Sequence, residues 1–121
     1  MPAREPPRPA PSPKTRHYLI LLALLGGDAH GLGIAREVER LSEGRVRLWP
    51  VTLYGSLDDL VENGWIEALE DANEKPKDAG ERKRFYRITA RGRVVARGET
   101  HRLAELVRVA RARVKAGRET A

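Results

Sequence analysis

Between residues 15 and 66 the apolar positions fall into three blocks at helical spacing, and each block runs into a glycine. In the first, Thr15 to Leu25, nearly every position after Tyr18 is apolar. A helix of that kind belongs at the centre of a core, buried on several sides. Gly26-Gly27-Asp28 breaks it. The second block predicts a helix from about His30 to Ser42, with Leu32, Ile34, Ala35, Val38 and Leu41 inward and Arg36, Glu37, Glu39 and Arg40 outward, stopped by Gly44. Arg45 to Trp49 then contains Val46, Leu48 and Trp49, enough for a short strand or an extended link. The third block starts at Pro50, whose fixed φ suits a first helical turn. Leu53, Leu57, Leu60 and Val61 make its apolar face, and Asn63-Gly64 ends it, because glycine accepts the left-handed backbone of a helix stop. Thr52, Tyr54, Gly55, Ser56, Asp58, Asp59 and Glu62 lie off that stripe or at its edge. A helix so short, with so polar an outer face, has to be positioned by the rest of the chain.

The second half of the chain changes period. Trp65 to Leu69 and Lys83 to Thr89 read as strands flanking a polar loop with Asp71, Asn73, Pro76, Asp78 and Gly80, a composition suited to a hairpin tip. Thr89 stands where an N-cap is needed, and a long helix is predicted from Ala90 to about Ala116. Its stripe starts at Val94 and Val95 and continues through Leu103, Leu106, Val107, Ala110 and Val114. Gly98 interrupts it at a cost of about 1 kcal/mol relative to Ala, which predicts a bend or a close backbone contact there. So small a domain has little core left for this helix to cover, so the stripe is expected to meet a second copy of the chain. The N-terminal stretch is Pro-rich and aperiodic, and reads as a flexible arm. The expected division is an arm over 1–14, a domain over 15–89, and a dimerisation helix with its tail over 90–121.

Composition narrows the classes. The 121 residues are 40% hydrophobic and only 5% aromatic, so one modest core is expected and self-association would add to it. Without cysteine there are no disulfides, thiolate metal sites or cysteine nucleophiles, which fits a cytoplasmic protein. The longest apolar run is far short of the roughly 20 residues of a membrane span, so no membrane role is expected. The net charge of +6 is unevenly spread: +3 over residues 1–16, −6 over 17–80 and +9 over 81–121. Basic ends around an acidic middle suit a polyanionic partner touched by arms and edges, or a solvated Arg-rich surface.

The order helix, helix, helix, two strands, helix is that of a winged helix-turn-helix domain, mainly α with a small β-hairpin. The chain resembles the PadR-like family of transcriptional regulators over about Arg16 to Val95. The marks are the Leu21–Leu25 run LLALL, the His30-Gly31 turn, Thr52-Leu53-Tyr54 in a Pro-led helix, the Asn63-Gly64 stop, and Tyr86-Arg87-Ile88-Thr89 with Gly92. The resemblance implies a homodimer on double-stranded DNA, with the third helix in the major groove and the wing across the neighbouring backbone or minor groove. On that docking Thr52, Tyr54 and Ser56 meet base edges or phosphates, and Lys75, Lys77, Arg82, Lys83 and Arg84 meet the backbone from the wing, with Arg36 and the arm adding contacts. Leu103, Leu106, Val107, Ala110 and Val114 would form the dimer seam. The expected function is a sequence-specific regulator, most often a repressor in such families, with a small-molecule effector possible.

The chain departs from the family pattern at several places. Its third helix has no Lys or Arg, and Asp58-Asp59 stands where relatives commonly carry basic residues; both carboxylates are expected to face solvent, with acceptance from a cytosine amine as the alternative. Gly55 replaces a usual Pro or Ala, and Leu32-Gly33 replaces an aromatic and polar pair. Trp49 and Trp65 bracket the helix, and their expected place is the core, with stacking on an aromatic effector as the alternative. His17, His30 and His101 lack the spacing of a metal site, and His30 and Asp28 are expected to cap or pack their turn. No cofactor is expected. Ser12, Ser42 and Ser56 sit on no nucleophile elbow, and no Gly-rich phosphate loop follows a strand, so the chain does not read as an enzyme. The rival is a winged-helix module that binds protein through the acidic side of its third helix.

Overall fold

The three predicted helical blocks, the hairpin and the long last helix are all present. The computed structural model describes residues 12–69 and 84–120, with side chains through residue 117. The elements run α1 (Thr15–Leu25), β1 (Ala29–His30), α2 (Gly31–Leu41), α3 (Pro50–Glu62), β2 (Ile66–Leu69), β3 (Phe85–Ile88) and α4 (Ala90–Thr120). The arm up to residue 11 and the wing loop, with Lys75, Lys77, Arg82 and Lys83, lie outside the described residues.

The sheet has three antiparallel strands in the order β1-β3-β2, one more than the expected hairpin. β2 and β3 pair from Ile66 opposite Ile88 to Leu69 opposite Phe85. The added strand pairs Ala29 with Tyr86 and His30 with Phe85. Two residues are too few to show an alternating pattern, so β1 left no mark in the sequence. Arg45 to Trp49 forms no strand. It is an extended link, closed at its start where the Val46 amide donates to Ser42 Oγ at 2.9 Å.

The core is built from Ile20, Leu21 and Leu24 of α1, Ile34 and Val38 of α2, and Leu53, Leu57 and Leu60 of α3, closed by Ile66, Tyr86, Ile88 and Ala96. α1 is central as expected, touching α2, α3, α4 and β3. It is not buried all round, however, since Leu25 faces outward. Leu32, Leu41, Val61 and Val94, expected inward, are also exposed. Each sits at the margin of an apolar stripe, where the neighbouring elements of so small a domain end before covering it.

The junction of α3, β2 and α4 explains several sequence marks together. α3 ends in a paired backbone motif: the Gly64 amide donates to Val61 O and the Trp65 amide to Leu60 O, each at 3.0 Å, with Gly64 at φ +76°. Thr89 caps α4 as predicted, its hydroxyl accepting from the Gly92 amide at 3.0 Å while it donates to Gly64 O at 2.7 Å. The Thr89 amide also donates to Trp65 O at 3.0 Å. A Cβ on Gly92 would lie 2.0 Å from that same carbonyl oxygen, so only glycine lets α4 start this close to β2. At Gly98, by contrast, nothing approaches within 4 Å, and the expected close contact is absent.

Candidate nucleic-acid interface

α3 is held on its inner side by Leu53, Leu57 and Leu60, and its outer side is open. Thr52 and Tyr54 are exposed as expected. The Tyr54 ring leans on the start of α2, where a Cβ on Gly31 would come within 3.1 Å of the phenol oxygen. The glycine of the His30-Gly31 turn therefore makes room for this ring. On the other side of the turn, the His30 imidazole caps α2 by accepting from the Gly33 amide at 3.1 Å, and packs edge-on against Phe85. Asp28, expected as a cap, instead forms an ion pair with Arg87 at 2.8 Å across the sheet edge.

Ser56 requires a correction. It is 2% exposed and faces inward, with its hydroxyl accepting from Arg16 Nε at 3.1 Å. A serine one turn before Leu60 and beside Leu57 falls within the buried arc, and the Arg16 hydrogen bond satisfies it there. It ties α3 to α1 and does not stand beside Thr52. The residue that does face outward, and that polarity alone did not flag, is Val51, 88% exposed.

Charge divides α3 lengthwise. The first two turns expose Val51, Thr52, Tyr54 and Gly55, whereas Asp58, Asp59 and Glu62 all lie exposed on the last two, as expected for the two aspartates. Asp59 approaches the otherwise unpartnered Nε2 of His17 at 3.8 Å. Burial lowers the His17 pKa, assisted by Arg16, against the opposing pull of Asp59. Arg84, exposed where the wing meets β3, lies close enough to the buried Tyr86 phenol to oppose the upward push that burial gives it.

Basic side chains flank α3 without standing on it. Arg36 is exposed on α2 and has no ion-pair partner among the described residues. Arg40 and Arg47 are engaged, with Glu37 and with Glu39 at 3.2 Å respectively. A cleft of about 440 Å³ opens between α2 and the start of α3, lined by Leu32, Arg36, Leu48, Trp49 and Tyr54 among others. Trp49 is 68% exposed there, so its expected place in the core is corrected: the extended link carries the indole past the edge of α2. Trp65 does pack against the core, half-buried.

The proposed dimer seam lies on the distal part of α4. Leu106, Val107 and Val114 are exposed, and Val107, Ala110 and Val114 line a shallow groove with Arg111 and Lys115. Among the described residues no cluster of His, Asp or Glu could hold a metal ion, and no helix is long and apolar enough to cross a membrane.

This chain is similar to several solved structures. A transcriptional regulator from Clostridium thermocellum shares 22% identity, with a TM-score of 0.65 over 80% of this chain and 87% of that one. A PadR family transcription regulator from Clostridium difficile shares 18%, with a TM-score of 0.67 over 84% and 99%. RosR from H. salinarum shares 25%, with a TM-score of 0.62 over 93% and 98%. No curated protein matches the chain. The model of the transcriptional regulator PadR-like family matches residues 20–98, more than half of the chain, from within α1 into the first turns of α4. The chain therefore belongs to the PadR-like family of transcriptional regulators.

Proposed function

We propose that two copies of this chain bind an inverted-repeat operator in double-stranded DNA and repress transcription there. The observation that carries this reading is the open outer face of α3 over its first two turns, on a helix anchored by α1 and by the core beneath it. The N-terminal part of a reading helix is the part that reaches base edges in the major groove. Thr52 and Tyr54 stand there, and Arg36, Arg84 and the wing lysines and arginines would hold the phosphates on either side. Pairing of the distal α4 stripes, Leu103, Leu106, Val107, Ala110 and Val114, would set the distance between two such helices, so operator spacing mirrors protein symmetry. A small aromatic effector stacked on Trp49 would occupy the cleft beside α3 and compete with DNA.

Membership of a family of regulators also makes catalysis the wrong frame for the chain. One observation favours a second reading: Asp58, Asp59 and Glu62 form an exposed acidic half of α3 that would suit a basic protein partner. Selecting bound sequences from a random duplex library at about physiological salt, with light scattering of the complex, separates the two. An inverted repeat bound by two chains supports the regulator. Sequence-blind binding that vanishes with salt supports the protein-binding module. In the regulator, replacing Lys83 and Arg84 by Ala should flatten the log-log salt dependence by roughly one to two units, at about −0.9 per phosphate contacted. An unchanged slope would remove the wing from the DNA.

A further inference from the structure

Val51, Gly55, Asp58 and Glu62 fall on one line of α3, at i, i+4, i+7 and i+11, opposite the buried Leu53, Leu57 and Leu60. This line is the foremost part of the helix. At its N-terminal end Val51 projects an isopropyl group into solvent with nothing to donate or accept. Around Gly55, the next position, nothing approaches within 4 Å of where a Cβ would be, so the helix backbone itself can come close to a surface there. Further along, Asp58 and Glu62 would meet phosphate with repulsion. On the DNA-binding reading, that distribution of charge favours a tilted approach to a duplex, with the first turns inserted and the acidic end lifted away.

What those first turns can read follows from what they lack. The commonest specific contact in the major groove is a bidentate Arg or Lys on guanine O6 and N7, and α3 carries neither residue. The C5 methyl of thymine is the apolar feature of the major-groove edge, and apolar side chains recognise it by contact. We propose that α3 reads thymine methyl groups, with Val51 as the residue that determines specificity for them. The proposal rests on the DNA-binding reading above and adds what each half-site must contain.

Single thymines of the selected operator, replaced in turn by deoxyuridine, provide the test, because this swap removes one methyl and leaves every hydrogen-bonding group in place. Titrations use the full chain at fixed salt. At one or two positions in each half-site the swap should weaken binding by roughly fourfold per methyl, the value of one buried carbon. V51A should lose a similar factor on the thymine operator and become indifferent to the swap at that position. V51A lies on the surface, so its fold is not at stake, and an unchanged thermal midpoint verifies this. Sequence-specific binding that ignores every deoxyuridine swap would overturn the thymine proposal while leaving the regulator standing. A V51A protein that still discriminates the swap would overturn the assignment to Val51. Absence of any sequence preference would overturn the DNA reading underneath and this proposal with it.

Discussion

The two ends of α4 have opposite relationships to the rest of the chain. Near its start Gly92 is clamped against Trp65 O, Ala96 is fully buried, and Glu99 is buried beneath Arg102, which donates to both of its oxygens at 2.6 Å. The Tyr18 and Thr100 hydroxyls meet at 2.7 Å, tying the helix back to α1. Beyond Thr100 the side chains through residue 117 are exposed, apart from the half-buried Leu103 and Val109, yet apolar residues continue at helical spacing. One helix thus has an inner part whose sequence answers to its own domain and an outer part whose apolar stripe is left largely uncovered by the described residues. An apolar stripe that its own fold leaves in water is what a partner helix would cover.

That contrast can be broken at either end, and the inner end should give the larger effect. Gly92→Ala places a Cβ 2.0 Å from a backbone carbonyl that has no freedom to move, because the same oxygen accepts from Thr89. Overpacking of this kind should cost about 3 kcal/mol, seen as a fall of roughly 10–20 °C in the thermal midpoint. A variant that melts like the parent would mean α4 is not seated as described. At the outer end, Leu106→Glu with Val107→Glu should leave the monomer fold intact and halve the mass measured by ultracentrifugation. Unchanged mass would sink the role proposed for the stripe. Gly92→Ala loses thermal stability and the double variant dissociates only if the two ends serve the two purposes argued here.

Most of the framework was legible because it is written in local signals. The Pro50 start, the Asn63-Gly64 stop, the Thr89 cap and the periods of α1, α2 and α4 each need only a few neighbouring residues. What was not legible depends on partners distant in sequence. Ser56 reads as polar surface until Arg16, on another helix, is found bonded to it. His17 gave no sign that it would be buried, since a histidine at the first turn of α1 is ordinary surface until α3 packs over it. Trp49 reads as core because indoles usually are, and only the path of the link past α2 places it outside. Val51 is the same case reversed: an apolar residue in an apolar-rich helix carries no local sign of exposure, because the buried apolar positions lie on the opposite side.

A milder cut at the inner end is Thr89→Ala, which removes the cap of α4 and the bond to Gly64 O together. Loss of the cap alone should cost about 1 kcal/mol, and Thr89→Ser should restore most of it in the same denaturation experiment. Failure of serine to rescue would assign the effect to the lost methyl and not to the two hydrogen bonds.

The smallest expected effect is on pH, where α1 meets α3. The ordinary pKa of histidine is 6.5, and burial together with Arg16 and Lys14 holds His17 below it, against the pull of Asp59. Above that ordinary value both folded and unfolded chains carry a neutral imidazole, and the contribution to stability is complete. As pH falls below it the unfolded chain takes up a proton first, so stability declines until pH passes the lowered folded pKa, where the folded imidazole protonates too and the decline stops. Urea midpoints measured between about pH 7.5 and pH 5 should therefore fall more steeply for the parent than for His17→Gln, while exposed carboxylates titrate equally in both and cancel. Asp59→Asn removes the one charge that favours the protonated form, so its decline should be steeper and reach lower pH than the parent's. Parallel curves for parent and His17→Gln would mean that the imidazole is wetter than its packing between the two helices implies.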